Sequence, residues 1–350
     1  VRLFEHRAAL DEYLFCAAWS DTWYELREQE DGDGLLELAD DILATEIEYP
    51  SSLNRRDRLC NGLARDLERT GELDLALALY QRSGRHPARE RSARILERSE
   101  QWSQCIALCE EVIAAPWCEQ ECEAAAKILP RVRRKLDGSR NPRTKDAFSE
   151  SRLRITPSGE SVELQVAAHL APSWAGVHYV ENRLMNTLFG LAFWEQIFAP
   201  LPGVFHNPFQ SAPADMYEPA FRLRRQQALA VRLDEFHHGD LASLLLDAYE
   251  RYHGYQCRWV DWRLERTLVQ QVAELVPPDH LLAIWERMLF DPRENRAGFP
   301  DLIALGDSLG DYRMIEVKAP GDALQDSQRR WLRFFLAREI PAEVAWVEWQ

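Results

Sequence analysis

The sequence predicts an α/β multidomain fold, with a helical N-terminal region followed by a mixed-sheet domain. Three observations carry this. From Asp57 to Lys135, apolar residues recur at spacings of three and four, interrupted only by short Gly or Pro breaks, which marks consecutive amphipathic helices. A polar run from Gly138 to Ser151 then marks a boundary. From Asp301 onward, short runs of Ile, Leu, Val and Met separated by turn residues read as strand, hairpin, helix, strand.

Taken in order, residues 1–50 contain helical pieces around an Asp/Gly loop at Asp31 to Gly34. They form an acidic helical segment compatible with the end of a truncated N-terminal domain, since the chain begins at Val1. Helices are predicted over Asp57–Thr70, Leu73–Ser83, Pro87–Ser99, Trp102–Ala114 and Cys118–Lys135, with breaks at Gly71, Gly84 to Pro87 and Ala115-Pro116. Their Leu-Ala-Leu-Ala-Leu-Tyr and Cys-Ile-Ala-Leu-Cys faces suggest tetratricopeptide-like hairpins of degenerate period. Residues 51–150 thus form a helical, repeat-like region and 151–350 the sheet-bearing domain. Leu153 to Val166 alternates apolar and polar residues as a strand pair turning at Pro157-Ser158-Gly159. Val177, Val180, Leu184, Leu188 and Leu191 then form one apolar helical stripe, with Glu181 beside it. Asp301–Leu305 reads as a buried strand, Gly306–Asp311 as a turn and Tyr312–Val317 as the returning strand. Ala323–Arg338, carrying Gln328 and Trp331, reads as a helix, and Glu343–Trp349 as a last strand.

Composition narrows the function classes. A chain of 350 residues, 46% hydrophobic, suits two or three globular domains. No apolar run approaches a membrane span, and no signal peptide is visible. Seven cysteines without a secretory context point to a reducing compartment: the cytoplasm of a bacterium or the nucleus of a eukaryote. No Gly-rich phosphate loop and no His/Cys/Ser nucleophile arrangement is present, which argues against nucleotide hydrolysis and covalent catalysis. The net charge of -15 is unevenly spread. Residues 1–50 hold three basic and fourteen acidic side chains, whereas residues 51–100 hold eleven Arg and eight acids. Polyanion binding depends on the local patch, not the sum. Arg55, Arg56 and Arg58 form one basic cluster; Arg131, Arg133, Arg134, Lys135, Arg140, Arg143 and Lys145 form another, each a phosphate-binding candidate or a solvated face.

The chemistry concentrates in Gly298-Phe299-Pro300-Asp301-Leu302 and Ile315-Glu316-Val317-Lys318. Side chains alternate along a strand, so Glu316 and Lys318 share a face and Val317 opposes them, leaving its carbonyl near the same edge. Asp301 and Glu316, brought together by adjacent strands, suit a hard cation such as Mg2+ or Mn2+ held through oxygen. Such a cation activates water against a phosphodiester, with Lys318 as a fixed positive charge beside it. Acidic residues at the inner end of Ile/Leu/Val strands are costly without a partner or a metal.

These motifs, with Ala319-Pro320-Gly321-Asp322 and Gln328-Arg329-Arg330-Trp331, resemble the virus-type replication-repair nuclease (VRR-NUC) module of the PD-(D/E)XK superfamily. Upstream, Gly176-Val177-His178-Tyr179-Val180-Glu181, Leu188 to Trp194 and Gly203 to Gln210 extend the resemblance to the Fanconi-anaemia-associated nuclease family and its bacterial relatives. The resemblance is strong over the last half of the chain and weak over the first. It implies a restriction-endonuclease-like nuclease domain. It implies Glu181 as a third acidic metal ligand, the Val317 carbonyl as a backbone ligand, Lys318 as the catalytic lysine and Gln210 as a substrate-orienting group beside the site. It further implies 5′-flap endonuclease and 5′-to-3′ exonuclease action on branched, flapped or nicked DNA in interstrand-crosslink repair, with a basic pocket for a 5′ phosphate. Arg58, Arg293 and Arg296 are the candidates for that pocket, and the helical repeats offer a surface for protein partners. A Holliday-junction resolvase of the same fold and a non-catalytic DNA-binding scaffold are the alternatives. Cys105, Cys109, Cys118 and Cys122, paired at i, i+4, fit either a four-thiolate zinc site or the small apolar contacts of a helix core.

Overall fold

The computed structural model describes residues 4, 6–138 and 146–350. Arg140, Arg143 and Lys145 of the second basic cluster lie outside the described residues. The chain divides into two units, 1–143 and 144–350.

Helices build the first unit: α1 (Arg7–Glu28), α2 (Gly32–Ala44), α3 (Pro50–Thr70), α4 (Leu73–Arg82), α5 (Ala88–Arg98), α6 (Trp102–Ala114) and α7 (Glu119–Asp137). Their ends follow local chemistry. Asp31 caps α2 by accepting the Gly34 N–H, so the expected Asp/Gly loop is instead the start of a helix. Pro50 opens α3, and Gly71 closes it at φ 98°, where only glycine is unstrained. Trp19, Leu38 and Ile42 share one core with Leu59, Leu63, Leu79 and Tyr80. Residues 1–50 are therefore not a separate segment, because their apolar stripes are buried by α3 and α4. Cys105 and Cys109 sit in a second core between α5, α6 and α7, where the Cys105 thiol donates to the Ala93 carbonyl.

The second unit is a five-stranded sheet with helices around it. In chain order it comprises β1 (Ser149–Ile155), α8 (Val162–Leu170), β2 (Gly176–Tyr179), α9 (Glu181–Ala192) and α10 (Trp194–Ile197). There follow α11 (Ala220–Arg224), α12 (Gln226–His238), α13 (Leu241–Tyr252), α14 (Arg266–Leu275) and α15 (Pro278–Phe290). Then β3 (Leu302–Leu305), β4 (Tyr312–Lys318), α16 (Asp326–Ala337) and β5 (Ala342–Trp349) complete it. The strand order is β1-β5-β4-β3-β2. β1 and β4 flank β5 in parallel, while β3 runs antiparallel to both β4 and β2. Helix α16 is the crossover that parallel β4 and β5 require. It starts in a capping box in which Gln325 and Gln328 satisfy each other's backbone N–H groups.

Two expectations are corrected. The segment 153–166 is not a strand pair: β1 ends at Ile155 and α8 begins at Val162, because Ser161 caps the Leu164 N–H and Val166 is buried on a helical face. The helix around Glu181 is shorter than the apolar stripe suggested. Val177 belongs to β2, paired with Ala304, and the helix starts only at Glu181.

Each face of the sheet has its own core. Leu302, Ala304, Ile315 and Val317 pack against Val166 of α8. Ile303, Leu305 and Met314 pack with α9, α15 and α16 into the larger core around Phe189, Phe193, Trp285 and Trp331.

Candidate metal centre

The β3–β4 register builds the site. The last pair on this side is Leu302 with Ile315, so Asp301, just before β3, and Glu316, within β4, stand opposite each other one step beyond it. Alternation sends Leu302, Ile315 and Val317 to the α8 face and leaves Asp301, Glu316 and Lys318 on the other. Asp301 is also a tether. Its Oδ2 accepts the Val317 N–H at 2.8 Å, and its carbonyl accepts the N–H groups of Val180 and Glu181, both at 2.9 Å. The aspartate thus joins β3, β4 and the start of α9.

The turn before Asp301 is held by α16. Gly298 has φ 91°, and a Cβ there would lie 2.7 Å from the Ser327 carbonyl carbon. Phe299 stacks on Trp331 with ring centroids 4.1 Å apart, and the Trp331 indole N–H donates to the Ala297 carbonyl. Arg330, itself buried, donates to the Glu294 carbonyl. The Gln-Arg-Arg-Trp motif therefore serves to seat the Gly-Phe-Pro-Asp turn.

Glu181 opens α9 at φ 43°, a left-handed conformation uncommon outside glycine. Its carboxylate accepts from the Tyr179 hydroxyl and from Asn182 Nδ2, each at 3.2 Å. Asn182 Oδ1 in turn accepts the Phe299 N–H at 3.1 Å. One side chain thereby braces both Glu181 and the turn that carries Asp301.

Electrostatically Glu316 is the less satisfied of the two carboxylates. Glu316 is 1% exposed, and apart from the Lys318 ammonium no donor reaches either carboxylate oxygen. The Lys318 ammonium stands 2.8 Å from its Oε1, an ion pair that meets one of the two oxygens. Burial pushes the Glu316 carboxyl up to about 7, Asp301 adding to the push and Lys318 opposing it. Burial likewise pushes Asp301 up to about 6, against the Val317 N–H and Lys318, with Glu163 and Glu181 adding. Buried carboxylate oxygens short of donors are the hard ligands that Mg2+ or Mn2+ takes, so these residues fit such a cation. Among the described residues, no three Asp, Glu, His or Cys side chains are gathered into a finished metal cluster. Glu181 instead faces Tyr179 and Asn182. The four cysteines form no such cluster either.

The structure thus brings together Asp301, Glu316, Val317 and Lys318, with Glu181 tied alongside. The Gln210 carboxamide is engaged by its own loop: it accepts the His206 and Asn207 N–H groups and donates to the Val204 and Ala212 carbonyls. Among the described residues it makes no hydrogen bond to the carboxylates. Arg58 is exposed on α3 in the first unit, while Arg56 pairs with Asp57, Arg131 with Glu97 and Arg133 with Glu110. Arg293 and Arg296 lie over the Tyr217 ring, and Arg296 donates to the Tyr217 hydroxyl at 2.7 Å. Arg258 completes this group over the same ring, 5.9 Å from its centroid. Sequence reading missed Arg258 and Tyr217, which are far from Asp301 along the chain. It also missed Asn182, whose only signal was adjacency to Glu181, and Glu163, hidden in the segment read as a strand.

Residues 237–349 match the VRR-NUC domain family. A Fanconi-associated nuclease 1 homolog from Pseudomonas aeruginosa is 39% identical over 99% of this chain and 62% of that protein. One from Schizosaccharomyces pombe is 29% identical over 53% of this chain and 26% of that protein. A crystal structure of paFAN1 bound to 5′-flap DNA with a two-nucleotide flap and a gap superposes with a TM-score of 0.73. It is 38% identical and covers 99% of this chain and 63% of its own. The chain therefore spans a little under two thirds of the length of these bacterial relatives.

Proposed function

We propose that this chain, which belongs to the Fanconi-associated nuclease family and carries its VRR-NUC domain, is a metal-dependent phosphodiesterase that cuts branched, flapped or nicked DNA. The carrying observation is the buried Glu316 carboxylate beside the half-buried Asp301, with the Lys318 ammonium 2.8 Å from its Oε1 and no other donor on either Glu316 oxygen. Asp301, Glu316, the Val317 carbonyl and Glu181 would hold Mg2+ or Mn2+. When bound, the cation supplies an activated water and neutralises charge on the phosphate. Lys318 keeps a fixed ammonium beside Glu316, placed to steady negative charge at the attacked phosphate. Asp301 holds β3, β4 and α9 in register, so the ligands are pre-positioned. Arg293 and Arg296, joined by Arg258, concentrate positive charge around Tyr217 and form the best candidate for the 5′-phosphate pocket. Arg58 is a further phosphate contact on the helical unit, and Gln210 braces the loop it closes.

Preference for 5′ flaps, 5′-to-3′ exonuclease action and a role in interstrand-crosslink repair follow from family likeness. The flap preference is supported by paFAN1, which was crystallised on 5′-flap DNA. The test is cleavage of end-labelled 5′-flap, 3′-flap and four-way-junction DNA with Mg2+ or Mn2+, beside Asp301→Ala. Metal-dependent cutting near the 5′-flap junction, lost in the variant, is expected. Symmetric cutting of the four-way junction would favour a resolvase, and no cutting of any substrate would favour a scaffold.

A further inference from the structure

Away from the carboxylates, the second unit holds a cavity of about 390 Å³ walled by aromatic rings, among them Trp194, Phe198, Phe209 and Tyr255, with the carboxamides of Asn207 and Gln256 at its edge. Its size is in the range that accepts a small planar ligand. Two of its rings are unusually bare: Phe209 is 81% exposed and Tyr255 65% exposed. The Phe209 segment is tied down. Asn207 Oδ1 accepts the Phe209 N–H, and the Gln210 carboxamide clamps the same loop. The Ala214 N–H donates to the Val204 carbonyl, and downstream the buried Asp215–Arg225 ion pair anchors the chain. A phenylalanine ring left in water is unfavourable for folding, and its chemistry suits a flat apolar partner.

Charge near the cavity says which partner. The segments that wall it continue directly into the arginine group around Tyr217. Arg258 follows Tyr255 by three residues, at most about 10 Å of chain, and its N–H donates to the Ser211 carbonyl of the Phe209 loop. Aromatic faces beside clustered guanidinium groups are how proteins hold single-stranded nucleic acid, rings taking the bases and arginines the backbone. We propose that this cavity receives an unpaired nucleobase of a DNA single strand, stacked on Phe209 and Tyr255, while a phosphate of that strand rests on Arg258, Arg293 and Arg296. This rests on the nuclease reading above and deepens it, since it gives the enzyme a physical means to sense single-stranded character next to a junction.

The test places 2-aminopurine, whose fluorescence stacking quenches, at each successive unpaired position of a flapped duplex. Binding is measured with the full chain in chelator, so that no bond is cut. Quenching is expected at one or two positions. Phe209→Ala and Tyr255→Ala should each abolish it and weaken binding of flapped DNA about tenfold, the loss being much smaller on blunt duplex. Phe209→Trp should restore both. The exposure of Phe209 means that its replacement leaves the thermal transition in place, which is checked alongside. Wild-type cleavage of flaps without quenching at any position, or with alanine variants that bind flapped DNA like the wild type, would overturn the cavity's role and leave the nuclease reading standing. That outcome would also be expected if a protein partner covered these rings. A wild type that neither binds nor cuts flapped DNA would overturn both.

Discussion

Replacing Glu316 by Gln removes one buried charge while keeping its shape, and the pH dependence of stability then reports how that charge is held. In the folded chain burial raises the Glu316 carboxyl to about 7, from an ordinary value of 4.5. A raised value means that the folded state binds the proton more tightly than the unfolded state. The resulting stability is fully present below about pH 4.5 and is lost as pH rises through about 7. Between pH 5 and pH 8 the loss amounts to about 2–3 kcal/mol from this one group. Gln cannot titrate, so the variant escapes that decline. The stability difference, variant minus wild type, should therefore grow in the variant's favour by about 2–3 kcal/mol from pH 5 to pH 8. For a domain of this size that corresponds to roughly 5–10 °C in the transition. The assay is thermal unfolding of both proteins in chelator at three or four pH values. Using the change with pH cancels the constant effect of leaving Lys318 with a neutral neighbour. Parallel pH curves for the two proteins would refute the claim that Glu316 is a strained, buried acid.

Other consequences follow from the same geometry. Asn182→Ala removes the side chain that braces Glu181 and the Phe299 N–H together, and should weaken Mn2+ binding by about 10- to 100-fold in calorimetry. Gly298→Ala forces a Cβ into a left-handed residue packed on Ser327. It should destabilise the second unit by at least about 1–2 kcal/mol in denaturant unfolding. Arg293→Ala and Arg296→Ala should each weaken binding of 5′-phosphorylated DNA and lower the slope of log affinity against log salt by about 1; an unchanged slope would place the phosphate elsewhere.

The candidate metal centre was readable because a hairpin is local. Asp301, Glu316 and Lys318 lie on neighbouring strands joined by a short turn, so alternation alone puts them on one face. The first-unit helices were readable for the same reason, their Gly and Pro breaks falling at Gly71 and Pro87, next to where helices end and begin. Glu181 was not readable from spacing. Val177 continues the apolar stripe of the helix by coincidence, and only pairing with Ala304 makes it strand. Its assignment came from family resemblance. The turn at 157–159 looked like a hairpin turn because a capping serine and a turn serine are the same residue type; burial of Val166 against the sheet decided for helix. Arg258, Tyr217 and the aromatic cavity depend on contacts between distant segments, which periodicity does not encode.

The most direct test of the central claim is calorimetric titration of Mn2+ into the metal-free protein at pH 6.5, in two buffers of different ionisation enthalpy. Because Glu316, pushed up to about 7, is largely protonated at this pH while Asp301, near 6, is mostly ionised, metal binding should release protons chiefly from Glu316, and the apparent heat should differ between the buffers. Asp301→Asn should abolish or greatly weaken that binding. Tight binding that survives in Asp301→Asn, or no binding by the wild type, would contradict the assignment of these two carboxylates as the metal centre.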